Sequence, residues 1–232
     1  MKILGIDLGG CFSANSAYVL LEKNGEDFRL FKKPFIEPRH KSFYDCKNFL
    51  KEQVLKHSPD IVSIDSPFSI PKILCDKDYR PLNREGESEI SNPYLYRFTD
   101  YFIYKNFGIK PMPPAGDRIG RVTARCMELL REFNYDNDYI FVSGKKVKIY
   151  EIFPRQIGEF LVGKNYKNKK REVLKIFGLE NEKILEKEHI FDAFLAAYGA
   201  FEIEKGNTIY PLNDKIKEEG WIYPVTKCSF RR

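Results

Sequence analysis

The chain has 232 residues, of which 43% are hydrophobic, 15% aromatic and 31% charged, enough for a packed core and too apolar for wholesale disorder. With mean hydropathy at −0.45, no apolar run approaches the roughly 18 to 20 residues of a membrane helix, and MKILGIDLGG lacks a signal-peptide pattern, so a soluble, cytoplasmic protein with no membrane partner is expected. Lys+Arg 39 against Asp+Glu 33 gives +6, a balance that permits an anionic partner such as nucleic acid without requiring one.

In chain order, residues 3–8 form a short apolar run broken by Asp7, the pattern of a buried strand end. Residues 16–21 and 28–35 are two further strand candidates, separated by the turn Lys23-Asn24-Gly25-Glu26-Asp27. Residues 43–57 read as an amphipathic helix, with Phe49, Leu50, Val54 and Leu55 on one face. DIVSID (60–65) is a compact fourth strand, stopped by Ser66-Pro67. Residues 67–137 are rich in Pro and Arg, with helical patterns over 94–107 and 118–133, and read as a helical insertion or cap. A hairpin follows, 139–142 and 147–152 around Ser143-Gly144-Lys145, then helical patterns at 155–161 and 168–177. Residues 188–204 carry the strongest helical pattern, and EEGWIYP reads as a turn that docks Trp221.

Three meandering strands followed by alternating strands and helices give the order of an RNase H-like fold, in which the first and fourth strands are parallel neighbours. The expected architecture is one α/β domain over 1–232. It has a mixed five-stranded sheet flanked by helices, with the insertion between the fourth and fifth strands.

That order gives four acids a common address. Asp7 and Asp65 end neighbouring parallel strands, so both emerge at the carboxyl edge where open α/β sheets place ligands. Glu151 ends the fifth strand, and Asp192 lies in the otherwise apolar helix HIFDAFLAAYGAF. Read singly, each has an ordinary role as a turn, cap or ion-pair residue. Together they would repel one another, and divalent cations are the usual remedy. Hard ions such as Mg²⁺ or Mn²⁺ prefer carboxylate oxygens, and a pair of them supports phosphodiester hydrolysis. His189, three residues before Asp192, shares its helix face and is a candidate metal ligand or proton shuttle. Gly9-Gly10 is a weak phosphate-loop signal.

The five cysteines are scattered with no CxxC pair, which argues against a disulfide framework or zinc knuckle. Basic residues offer phosphate contacts. Arg97, Arg118 and Arg125 lie in the insertion among Tyr94, Tyr96, Phe98, Tyr101 and Phe102, aromatics that either stack bases or form core. Lys169 and Lys170 belong to the run Lys164, Lys167, Lys169, Lys170, Arg171, which is either solvated surface or a nucleic-acid contact.

The segments GIDLGG, IDSPFSIP, YRFTD, PPAGDRIGRVTAR, YEIFP, HIFDAFLAAYGAF and EGWIYP, in this order, resemble domain-of-unknown-function family 429, predicted nucleases of the RNase H-like fold. The resemblance spans nearly the whole chain. It implies a metal-dependent nuclease site at Asp7, Asp65, Glu151 and Asp192. The H-x-x-D-A pattern is also similar to the last helix of RuvC-type Holliday-junction resolvases, which places His189 near the metal. GIDLGG also resembles the first phosphate loop of actin and sugar-kinase ATPases, but Asp65 is followed by Ser66-Pro67 instead of a second glycine-rich loop. A nucleic-acid-binding protein without catalysis is the third reading.

Overall fold

β1 (Lys2–Asp7) is the inner strand from which the architecture is built. In the computed structural model, which describes residues 1–9, 16–25, 27–30, 35–36, 43–136 and 138–229, it pairs antiparallel with β2 (Ala17–Asn24) and parallel with a later strand, Ile61–Asp65. Chain order continues from β2 with β3 (Asp27–Leu30), β4 (Phe35–Ile36), α1 (Phe43–His57), β5 (Ile61–Asp65), α2 (Phe98–Phe107), α3 (Asp117–Glu132), β6 (Tyr139–Val142) and β7 (Lys145–Glu151). It ends with α4 (Pro154–Val162), α5 (Lys170–Ile176), α6 (Glu188–Glu204) and α7 (Asp214–Glu218).

The sheet runs β3-β2-β1-β5-β7-β6, with the two-residue β4 also paired to β2. The first and fourth expected strands are therefore parallel neighbours, with Asp7 opposite Asp65. The expected count of five strands is corrected to six along this path, plus β4. Part of the difference is the hairpin partner β6, which adds an edge strand of its own. Its turn holds Ser143 at φ 49 and Gly144 at φ 79, the paired left-handed conformation that suits a tight hairpin. The other part is the span expected as one strand over 28–35: β3 ends at Leu30, and Phe35–Ile36 pairs with β2 as a separate piece.

Strand alternation divides the core into two layers. Ile3, Val19, Leu21, Ile61 and Tyr150 face α6 together with α4 and α5. Leu4, Ile6, Leu20, Val62, Ile64 and Ile149 face the other way, toward Val54 of α1 and Val122, Cys126, Leu129 and Leu130 of α3. Within the segment expected as an insertion, α3 thus serves as core cover for the sheet. Tyr96 and Tyr101 sit in a small buried cluster with Ile90. Phe102 packs on Trp221 at 5.0 Å between ring centroids. The insertion's aromatics, Tyr94 apart, are thereby used largely as packing.

The contact between β1 and α6 is unusually close. A side chain at Gly5 would place its Cβ 2.2 Å from the Ala193 carbonyl and 2.6 Å from the Ala197 nitrogen. Only glycine under a small-residue helix face allows this approach. The close packing lays the first turns of α6 over the carboxyl end of β1. No helix among the described residues is long and apolar enough to cross a membrane.

Candidate functional site

Asp7 and Asp65 end β1 and β5 in register, so both carboxylates leave the sheet at one edge on the face covered by α6. Gly5 brings α6 down onto β1, and the first turns of that helix carry His189 and Asp192 to the same edge. His189 Nδ1 lies 2.6 Å from Asp7 Oδ2. Asp192 Oδ1 accepts a hydrogen bond from the Tyr166 hydroxyl at 3.2 Å, and Asp192 Oδ2 lies 3.2 Å from Lys167 Nζ. All of these residues line one cleft of about 660 Å³. Its lining also includes the apolar Pro111, Met112, Ile119, Phe153 and Ile222.

Crowding of like charges shows in the protonation equilibria. Burial pushes the Asp65 carboxyl well above the usual carboxylate range, and the charges of Asp7 and Asp192 push it further. Asp192 is pushed up to about 6, by burial first and then by Asp7. Asp7 is raised by burial, which outweighs the opposing pull of His189. His189 is raised in turn, chiefly by its hydrogen bond to Asp7. Among the described residues, no hydrogen bond or ion pair reaches the Asp65 carboxylate. A carboxylate beside others, with no hydrogen bond or ion pair of its own among the described residues, is the donor chemistry that a hard divalent cation satisfies, and in that respect the residues fit Mg²⁺ or Mn²⁺. Among the described residues, however, no three His, Cys, Asp or Glu side chains are gathered in a grouping that could hold an ion. Asp7 and Asp192 are engaged by His189 and by Lys167 with Tyr166.

Glu151, expected as a fourth ligand, has a different role. By register it lies beside Ile64, on the face opposite Asp65, and turns toward the insertion. Arg97 Nη1 and Nη2 donate to its two carboxylate oxygens at 2.8 and 2.6 Å, and the Phe68 amide donates at 2.9 Å. Arg97 is 0% exposed and is also held by Asp100 at 3.0 Å. Glu151 borders the cleft as half of a buried ion pair with Arg97, on the face away from Asp65.

The expected phosphate contacts are placed as follows. Arg97 is a buried clamp. Arg125 is buried and donates to the Gly9 carbonyl, fixing the chain just after β1; Gly10 lies outside the described residues. Lys169 and Lys170 donate to the carbonyls of Val162 and Glu186 at 2.8 and 2.9 Å, spending their charge on local backbone. Arg118 is exposed but outside the cleft lining.

Lys167 is the member of the basic run that reaches the site, bridging Asp192 and Glu188. Its placement depends on Asn165, which turns the chain at φ 63, and on Gly158. A Cβ at Gly158 would stand 2.1 Å from the Tyr166 ring, so α4 needs a glycine there for Tyr166 to lie beneath Asp192. The only available sequence signal was weak: one lysine among several, beside a tyrosine, in a segment without periodicity.

These features define a class: an α/β protein whose mixed sheet gathers carboxylates, a histidine and a lysine in one cleft at its carboxyl edge. Comparison with known proteins adds the following. No protein-family model and no curated protein matches the chain, so membership of domain-of-unknown-function family 429 gains no support. Similar solved structures include Thermus thermophilus RuvC, at 16% identity over 89% of this chain and 97% of that one, with a TM-score of 0.41. T. thermophilus RuvC in complex with a Holliday junction substrate gives 16% identity over 89% and 96%, with a TM-score of 0.46. Fowlpox virus resolvase with its substrate Holliday junction DNA gives 14% identity over 88% and 99%, with a TM-score of 0.40.

Proposed function

We propose that the chain is a single-domain, RNase H-like nuclease that hydrolyses nucleic-acid phosphodiester bonds with Mg²⁺ or Mn²⁺. One observation carries this reading: Asp7 and Asp65 stand side by side in register at the sheet edge, with Asp192 and His189 brought over them by α6. Divalent ions held by Asp7, Asp65 and Asp192 would supply an activated water and stabilise charge on the leaving oxygen.

The chain's own groups do the rest. Asp65 offers a carboxylate that no hydrogen bond or ion pair among the described residues engages. His189, on Asp7, is placed to hold or move a proton at its ring nitrogens. The Arg97–Glu151 pair fixes the Phe68 backbone just beyond Asp65, which keeps that strand end in position. The apolar part of the cleft lining gives a base or sugar a surface to lie on.

A cleavage panel in Mn²⁺ tests the proposal, using single-stranded, duplex, RNA–DNA hybrid and branched substrates. Branched DNA belongs in the panel because junction DNA is the substrate in the resolvase complexes. At least one substrate should be cut, and Asp7→Asn or Asp192→Asn should lower the rate by roughly a hundredfold or more, because such groups act as a unit. His189→Ala should cost less if it only moves protons. An intact panel with folded protein and Mn²⁺ present would refute the reading.

A further inference from the structure

Lys167 enters the acid cluster from outside α6. Its ammonium stands 2.6 Å from Glu188 Oε1 and 3.2 Å from Asp192 Oδ2. Glu188 and Asp192 are one helical turn apart on the same face, so one cation can bridge them without moving the helix. The neighbouring Tyr166 is buried and bonded to Asp192, which fixes the base of the lysine. Its side chain is nevertheless 44% exposed. A compact charge on a long flexible stem, fixed at its base and wet at its tip, can exchange partners at little cost.

Resting on the nuclease reading, we infer that Lys167 is a resident counter-ion of the carboxylate site, which yields Asp192 to a divalent ion and turns to a phosphate oxygen of the nucleic-acid strand. A doubly charged ion attracts Asp192 more strongly than an ammonium at the same distance. Glu188 keeps hold of Nζ as the pivot. Released from Asp192, the ammonium still lines the cleft that the strand would enter. Metal loading thereby creates a phosphate contact, and metal and strand favour each other's binding by reciprocal linkage.

The test compares Lys167→Met, Lys167→Arg and Lys164→Met, the last an exposed lysine of the same segment that does not line the cleft. Mn²⁺ is titrated calorimetrically into each protein without nucleic acid. Lys167→Met should bind Mn²⁺ roughly threefold to tenfold tighter than wild type, the scale of losing a half-exposed ion pair as competitor. Lys167→Arg should stay near wild type, and Lys164→Met should not shift. In cleavage assays at saturating Mn²⁺, Lys167→Met should raise KM and make its logarithmic salt dependence shallower by about one contact. Unchanged or weaker Mn²⁺ binding by Lys167→Met, or an equal shift in Lys164→Met, would overturn the inference while leaving the nuclease reading standing. Wild type that takes up no Mn²⁺ at all would overturn both.

Discussion

Among the described residues, no hydrogen bond or ion pair holds the Asp65 carboxylate. Burial is the largest cost of ionising it, the charges of Asp7, Asp192 and Glu151 add to that cost, and Lys167 offsets part of it. Its folded pKa lies above its unfolded value, so the native state binds the proton more tightly. Below about pH 4 both states are protonated and the residue contributes nothing to stability. As pH rises from the unfolded toward the folded pKa, the unfolded state gives up its proton first and stability falls, levelling once both states are ionised. Asp65→Asn should therefore raise the melting temperature of the metal-free protein at pH 8 and leave it nearly unchanged at pH 4, in melts with a chelator present. A gain of equal size at both pH values would mean that charge is not its cause. Adding Mn²⁺ at pH 8 should reverse the ranking, because an ion bound only by the native site stabilises wild type, by about 2.7 kcal/mol at a hundred times Kd.

At the scale of elements, two contacts position the site. One is β1 against α6. Gly5→Ala forces a methyl group into the Ala193 carbonyl and Ala197, and should cost roughly 1 to 3 kcal/mol by urea denaturation. It should lower cleavage further than stability alone explains, because it lifts His189 and Asp192 away from Asp7. The other contact joins α2 to β7 through Arg97. Arg97→Met leaves Asp100 and Glu151 buried without their cation, and should cost roughly 3 to 5 kcal/mol. The triple variant Arg97→Met, Asp100→Asn, Glu151→Gln should recover a clear part of that loss. No recovery would mean that packing, and not uncompensated charge, is what Arg97 supplies.

These elements also show how much the sequence can reveal. α6 was legible because residues 190–201, apolar except for Asp192, have the composition of a buried helix. The orientation of Glu151 was not legible. Alternation puts Glu151 on the apolar side of β7 with Val147 and Ile149, opposite Lys146 and Lys148, but only the register against β5 shows that this side faces away from Asp65. The place of Lys167 was hidden for another reason. Its partners lie on a distant helix, and the turn that aims it depends on a left-handed asparagine and on a glycine that is small for the sake of a tyrosine.

For the molecule as a whole, the sheet order was readable because three strand patterns in succession, then a helix and a buried strand, leave few unknotted ways to pair. The strand count was missed at the short β4, read as part of a strand over 28–35, and at β6, read as the hairpin strand 139–142 but left out of the five. The central claim is that this order exists to bring Asp7, Asp65 and Asp192 around divalent ions. Anomalous diffraction from a crystal soaked in Mn²⁺ tests it most directly. The account predicts anomalous density in the cleft, coordinated by Asp7, Asp65 and Asp192, with Lys167 withdrawn from Asp192 and Glu151 still on Arg97. Density elsewhere on the surface with none between these three carboxylates would contradict it.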